Sequence, residues 1–75
     1  MIAAFVLVNV DPGKENEVFK SLVKVPEIKG LKLVFGEYDL IARIEVEDYK
    51  SVGKVVVDKV RSVKGISGTK TLLEA

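Results

Sequence analysis

The sequence predicts a small α+β domain whose strands and helices follow the order βαββαβ. Apolar residues alternate or run together in four short segments, which is typical of strands, and recur at intervals of three and four in two others, which is typical of helices. Turn and capping residues separate these segments. The chain has 75 residues, the size of a single small domain.

The first strand is expected over residues 2–10, where a run rich in β-branched residues is apolar on both faces. Asp11 is predicted to cap the first helix, with Pro12 at the first helical position. Pro26 closes this helix, because the residue before a proline avoids the α conformation. The apolar face of the helix consists of Val18, Phe19, Leu22 and Val23.

A hairpin follows the first helix. Gly30 opens the second strand over residues 31–35, and a clean apolar–polar alternation predicts the third strand over residues 40–47. Between them, residues 36–38 form a short loop in which the glycine is free to adopt a positive φ. If the segment is a plain hairpin, Asp39 hydrogen-bonds with its own backbone.

The second helix and the last strand complete the domain. Asp48 is a second N-cap, and Gly65 suits the left-handed position after the helix. The last strand is expected over residues 66–73, with polar Ser67, Thr69 and Thr71 on one side. The helical stripe consists of Tyr49, Val52, Val56, Val60 and Val63. Right-handed crossovers then place both helices on one face of a four-stranded antiparallel sheet, the ferredoxin-like arrangement.

Composition excludes several classes of function. The chain has no cysteine and no histidine, which removes disulfides, thiolate or imidazole metal sites and imidazole-based catalysis. A net charge of +1 argues against direct nucleic-acid binding, which needs a basic excess on one face. No run of about 20 apolar residues predicts a membrane span. We expect no cofactor, no metal and a cytoplasmic location.

The predicted fold leaves one face of the sheet without a cover. Two helices cover only the other face, yet the first strand is apolar on both. Large exposed apolar patches are uncommon on monomers, so the sheet of a second copy is the expected cover.

The segment 36–39 carries the most informative chemistry. A free amino acid presents an ammonium group, for which Asp39 is a carboxylate acceptor, and a carboxylate, for which a glycine loop exposes backbone N–H donors. Thr69 and Thr71 offer hydroxyl groups that complete a polar lining. A plain hairpin explains the same segment equally well.

An ordered set of short motifs resembles the effector-binding domain of the Lrp/AsnC regulators, also called the regulation-of-amino-acid-metabolism domain. The motifs extend along nearly the whole chain and are Pro12–Gly13, Val25–Ile28, Gly36–Leu40, Glu47–Tyr49, Gly65–Ile66 and Thr69–Leu72. The departure from the family is at the N-terminus, where Met1 is followed at once by the first strand. The sequence therefore resembles a single stand-alone domain, residues 1–75, that lacks the helix-turn-helix half of these regulators.

The resemblance implies dimers with face-to-face sheets that assemble into rings, commonly octamers, with amino-acid effectors bound between dimers. It places the family's hairpin motif on Gly36, Tyr38 and Asp39, and its last-strand threonines on Thr69 and Thr71. The expected function is a non-enzymatic, amino-acid-binding oligomer linked to transcription regulation, which co-assembles with full-length regulators.

Two alternatives stay open at this point. Dimeric ferredoxin-like barrels include small monooxygenases and isomerases, for which Arg43 is the chief charged candidate here, although such a site still needs a positioned acid or base. The other alternative is a purely structural assembly module without a ligand.

Overall fold

The computed structural model describes all of residues 1–75 and has the predicted βαββαβ order. The strands are β1 (Ile2–Val10), β2 (Ile28–Leu33), β3 (Leu40–Val46) and β4 (Ile66–Leu73). The helices are α1 (Glu15–Val23) and α2 (Tyr49–Val55), and α2 continues directly into a π-helical segment, Val56–Val60. The four strands form one antiparallel sheet in the order β2-β3-β1-β4, which is ferredoxin-like as predicted.

The core lies between the helices and one face of the sheet. All 15 buried residues are apolar, and none is polar or charged. On the two central strands the helix-side residues are Ala4, Val6, Val8, Val10, Leu40, Ala42, Ile44 and Val46. Val18 and Leu22 of α1 are fully buried against them. Each burial of such an aliphatic side chain stabilises the fold by about 1.5–3 kcal/mol.

The π-helical segment explains how a run of valines at four-residue spacing stays on one side of the helix. In a regular α-helix a four-residue step overshoots a full turn by about 40°, so Val52, Val56 and Val60 would drift around the axis. The wider turn, in which Arg61 N–H donates to the Val56 carbonyl oxygen at 2.8 Å, removes part of this drift. All three valines are buried as a result. The predicted stripe is wrong at one end, because Tyr49 is 61% exposed.

The start of α1 differs from the prediction. Asp11 does not cap the helix: Lys14 occupies that position without a side-chain hydrogen bond. Asp11 instead donates its N–H to the Gly65 carbonyl oxygen at 2.8 Å and accepts the Lys14 N–H at 3.0 Å. Gly13, with φ 85°, completes this turn. The helix is delayed because the backbone of Asp11 remains tied to the loop before β4.

The hairpin strands are also displaced from their predicted bounds. β2 begins at Ile28 rather than at residue 31 and ends at Leu33 rather than at residue 35, and β3 ends at Val46. The last β2–β3 pair is Leu33 with Leu40, and the N–H of the preceding Asp39 bonds to Val8 of β1. The predicted three-residue loop therefore becomes a six-residue loop, 34–39.

The face of the sheet opposite the helices, here called the open face, is uncovered in the single chain. Register and burial place on it Ala3, Phe5, Leu7, Asn9, Gly30, Lys32, Ile41, Arg43, Glu45, Gly68, Lys70 and Leu72. On β3 it carries an Arg43–Glu45 ion pair opposite the apolar Phe5 and Ala3 of β1. No helix of the fold has both the length and the apolar content needed to cross a bilayer.

Gly65 and Gly53 form a matched pair for a stability test. Gly65 has φ 103°, and a Cβ atom there would lie 3.1 Å from Lys14 Cβ and from Val18 Cγ2. Gly65→Ala is therefore expected to destabilise the domain by about 1–3 kcal/mol. Gly53 is in α2 with no atom within 4 Å of such a Cβ, so Gly53→Ala should stabilise by about 0.5–1 kcal/mol. Urea unfolding measures the change in the free energy of unfolding of each variant. Changes of the same sign in the two variants would contradict these expectations.

Candidate functional site

The loop between β2 and β3 exposes backbone hydrogen-bond donors. The Val34 N–H donates to the Asp39 carbonyl oxygen at 2.9 Å and closes the loop. The N–H groups of residues 35–38 have no backbone acceptor. Gly36 has φ 129°, in the region that favours glycine, and is exposed, as predicted for a glycine that turns the loop.

Asp39 joins this loop to the end of β1. Its Oδ2 accepts the N–H of Val10 at 2.8 Å, and its own N–H donates to the carbonyl oxygen of Val8 at 2.9 Å. The carboxylate of Asp39 therefore bonds to β1 and not to its own loop, as a plain hairpin would have it, whereas the Asp39 carbonyl oxygen does accept a loop N–H, that of Val34. The other carboxylate oxygen, Oδ1, makes no hydrogen bond within the chain. One carboxylate oxygen of Asp39 thus holds β1, and the other is free to accept a hydrogen bond from a ligand.

The other sequence-predicted residues lie around this end of the sheet. Tyr38 is partly buried beside Asp39, and its hydroxyl makes no hydrogen bond within the chain. Thr69 pairs with Val8, and Thr71 pairs with Val6. Because Val6 and Val8 face the core, both threonines are on the helix side of the edge strand β4, where they are partly buried.

A single chain does not bring these two groups together. In the sheet order β2-β3-β1-β4, β1 lies between the hairpin and β4. Two strand spacings separate Leu40, which follows Asp39, from Thr69, or about 10 Å. Gly36, Tyr38 and Asp39 form one group, and Thr69 and Thr71 form another.

A recess of about 430 Å³ borders the β4 group. It is lined by Arg61, Ile66, Ser67, Gly68 and Thr69. A β-bulge at Asn9 and Val10 leaves Ser67 without a partner on β1, unlike Thr69 and Thr71, which pair with Val8 and Val6. Sequence reasoning did not single out Arg61, because no residue pattern revealed the π-helical segment that ends beside it.

A second groove, of about 630 Å³, lies at the opposite end of the sheet from the hairpin. It lies between the end of β3 and α2 and contains none of the five predicted residues. Within it, Lys59 Nζ donates to Glu27 Oε2 at 2.7 Å, and chiefly this hydrogen bond lowers the pKa of Glu27. Seven charged side chains of both signs line it, so we interpret it as a solvated, ion-paired surface.

Two further observations limit the chemistry. Asp48 caps α2 by accepting the Ser51 N–H at 2.8 Å, and hydrogen bonding to Ser51 lowers the pKa of Asp48. The shift is therefore explained by the cap and not by a catalytic pair. No three Asp, Glu, His or Cys side chains converge on a point where they could hold a metal ion.

Comparison with known proteins identifies relatives along the whole domain. The family model of the Lrp/AsnC ligand binding domain matches residues 3–73. The HTH-type transcriptional regulator FL11 of Pyrococcus furiosus is 36% identical over 72 residues, which are 96% of this chain and 47% of that protein. This chain spans about half the length of the curated relatives it matches.

Solved structures have the same fold. The crystal structure of FFRP-DM1 superposes with a TM-score of 0.94 and is 36% identical, with 100% of each chain covered. The transcriptional regulator NMB0573 of Neisseria meningitidis, solved as a complex with L-Met, has a TM-score of 0.88 at 22% identity, covering 99% of this chain and 49% of that one. At this identity the second likeness shows the fold alone.

Proposed function

The chain belongs to the Lrp/AsnC ligand-binding domain family, and we propose that it is an effector-binding module whose ligand is a free amino acid. Its relatives are transcriptional regulators, which supports a role in transcription regulation and favours binding over catalysis. The L-Met complex of the neisserial regulator, which shares this fold, supports the ligand class.

The observation that carries the proposal is the free carboxylate oxygen of Asp39 beside unpaired backbone N–H groups. Asp39 Oδ1 is an acceptor for the ammonium group of an amino acid, and the loop around Gly36 offers N–H donors to its carboxylate. Tyr38 adds a hydroxyl, and the fully exposed Phe35 adds an apolar surface for a side chain. Both charged ends of the ligand have a complementary group in one loop.

The second half of the pocket, Thr69 and Thr71, comes from another copy in this proposal. In one chain the backbones of Thr69 and of Leu40, which follows Asp39, are about 10 Å apart across β1, which favours a ligand that touches both groups from between copies. We propose that the copies first pair through their open faces and that the resulting dimers form a ring, with an octamer as the expected size.

Two features support self-association through the open face. The single chain exposes 4991 Å², whereas monomers of 8.2 kDa expose about 4,500 Å² on average. Phe5, Leu7 and Ile41 form an apolar strip across the two central strands, and none of them is fully buried in one chain. Binding at the contacts between dimers would couple the effector to assembly. We further propose a cytoplasmic location and co-assembly with full-length regulators.

A calorimetric screen of the twenty amino acids tests the proposal. At least one is expected to bind with a dissociation constant below 1 mM, a free energy of about −4 kcal/mol or better. Its amide, which lacks the carboxylate charge, is the matched control and should bind at least 10-fold more weakly. A screen in which no amino acid binds below 1 mM would overturn the sensing function and favour a purely structural assembly module.

A further inference from the structure

We propose that the recess at the start of β4 is an oxyanion-binding site in which Arg61 is the charged ligand and the hydroxyls of Ser67 and Thr69 are additional donors. The recess is the 430 Å³ space lined by these three residues with Ile66 and Gly68. No acidic side chain lines it. Its chemistry therefore favours a carboxylate or a phosphate group.

Arg61 is free to serve such an anion. The chain contains three ion pairs, Lys14–Glu17, Arg43–Glu45 and Lys59–Glu27, and Arg61 takes part in none of them. Its guanidinium also makes no hydrogen bond within the chain. A guanidinium stays charged at all physiological pH values and presents a planar fork that matches two oxygens of a carboxylate or phosphate.

The hydroxyl groups of the recess are equally unoccupied. Neither Ser67 nor Thr69 uses its hydroxyl in a hydrogen bond within the chain. Thr69 lies in the β4 ladder opposite Val8, whereas the bulge removes Ser67 from that ladder. Arg61, Ser67 and Thr69 thus line one space from different segments of the chain.

Two rare backbone irregularities border this recess. The π-helical segment Val56–Val60 ends at Arg61, whose N–H bonds back five residues to Val56 at 2.8 Å. On the other side, the register shift between Asn9 and Val10 places a bulge at Ser67. One residue more or less in a helix turns every later side chain by about 100°, so the wide turn sets the direction of Arg61. π-turns and bulges occur often at functional sites, where they redirect a side chain.

The oxyanion site and the proposed amino-acid pocket have only Thr69 in common, so an experiment can overturn one and leave the other in place. If the bound anion is the carboxylate of an amino acid, Arg61 becomes a further residue of the effector pocket. If it is a phosphate group, the recess is a second site. The ligand class common to both is an oxyanion.

The test is an NMR titration of the full chain with sodium phosphate and, separately, with sodium acetate, at constant ionic strength. We expect saturable shifts of the Ser67 and Gly68 amides and of the Arg61 Nε signal with at least one anion. Saturation by phosphate alone identifies a phosphate ligand, and saturation by acetate identifies a carboxylate. Absence of saturable shifts with both anions would overturn the inference.

Arg61→Met is the informative variant, and Lys64→Met is its control. Both residues are exposed, and both substitutions remove one positive charge within three positions. Arg61→Met should weaken anion binding at least 10-fold, while Lys64→Met changes it less than 2-fold. Arg61→Lys keeps the positive charge but not the planar guanidinium fork, so its affinity for the anion should lie between those of the other two variants. Equal weakening by Arg61→Met and Lys64→Met would overturn the site, because it would indicate general attraction by net charge.

The outcomes also separate this inference from the sensing function. One outcome is that an amino acid binds the wild type and Arg61→Met with equal affinity while neither anion gives saturable shifts. The oxyanion site is then overturned, and the amino-acid-binding function is supported. The other outcome is that phosphate gives saturable shifts while no amino acid binds. The amino-acid-binding function is then overturned, and the oxyanion site is supported.

Discussion

Leu7→Glu is expected to separate the assembly into single chains. Leu7 lies at the centre of the open face, between Ile41 on β3 and Lys70 on β4. A carboxylate there would be buried against the apolar strip of a second copy, and an ion buried in an interface costs several kcal/mol. We expect self-association to weaken on the order of 100-fold or more. Within one chain the new carboxylate lies beside Lys70, a favourable cross-strand pair, so the fold is retained.

Val57→Glu is the matched control for this substitution. Val57 is apolar and 55% exposed, but it lies on the helical side of the domain, away from the open face. Sedimentation velocity over a range of concentrations should show single chains for Leu7→Glu and an unchanged assembly for Val57→Glu. An assembled Leu7→Glu variant with a normal circular dichroism spectrum would contradict the role of the open face.

Asp39→Asn is expected to abolish most amino-acid binding while leaving the fold intact. The asparagine carbonyl oxygen can still accept the Val10 N–H, which now bonds to Asp39 Oδ2 at 2.8 Å. The negative charge that attracts the ligand's ammonium group is lost. Hydrogen bonds to charged groups contribute about 1.5–3 kcal/mol, so affinity should fall roughly 10-fold or more.

Asp39→Ala separates the two roles of this residue. It removes the acceptor as well as the charge and leaves the partly buried Val10 N–H unpaired, at a cost of about 1–3 kcal/mol. In a domain of this size that lowers the melting temperature by about 4–8 °C per kcal/mol. Calorimetry and thermal melting of both variants make the comparison. Unchanged ligand affinity in Asp39→Asn would remove Asp39 from the site.

Much of the fold was predictable because apolar spacing reports burial directly. The alternation from Leu40 to Val46 and the dense run from Ile2 to Val10 predicted the two central strands, and the structure confirms both starts. The start of α1 was missed because a hydrogen bond from Asp11 to Gly65, far away in sequence, decides where the helix begins. The end of β2 was missed for a similar reason, since the N–H and the carboxylate of Asp39 bond to β1, far away in sequence.

The candidate site was less accessible from sequence. The chemistry of the segment 36–39 predicted its exposed glycine loop. It did not predict that one carboxylate oxygen of Asp39 accepts the N–H of Val10. Arg61 was missed because its direction depends on a π-helical segment that has no signature beyond valines spaced by four. The site as a whole is still a prediction, because its two groups lie on either side of β1 and meet only if a second copy contributes one of them.

In the proposed function, an amino acid binds between copies of this domain and thereby stabilises their assembly. Native mass spectrometry, at a protein concentration where single chains and oligomers coexist, tests it most directly. Adding the amino acid that binds in calorimetry should raise the oligomeric fraction, with ligand mass found on the oligomer and not on the single chain, and Asp39→Asn should suppress both effects. Ligand mass on the single chain, with an unchanged distribution of oligomers, would contradict the claim.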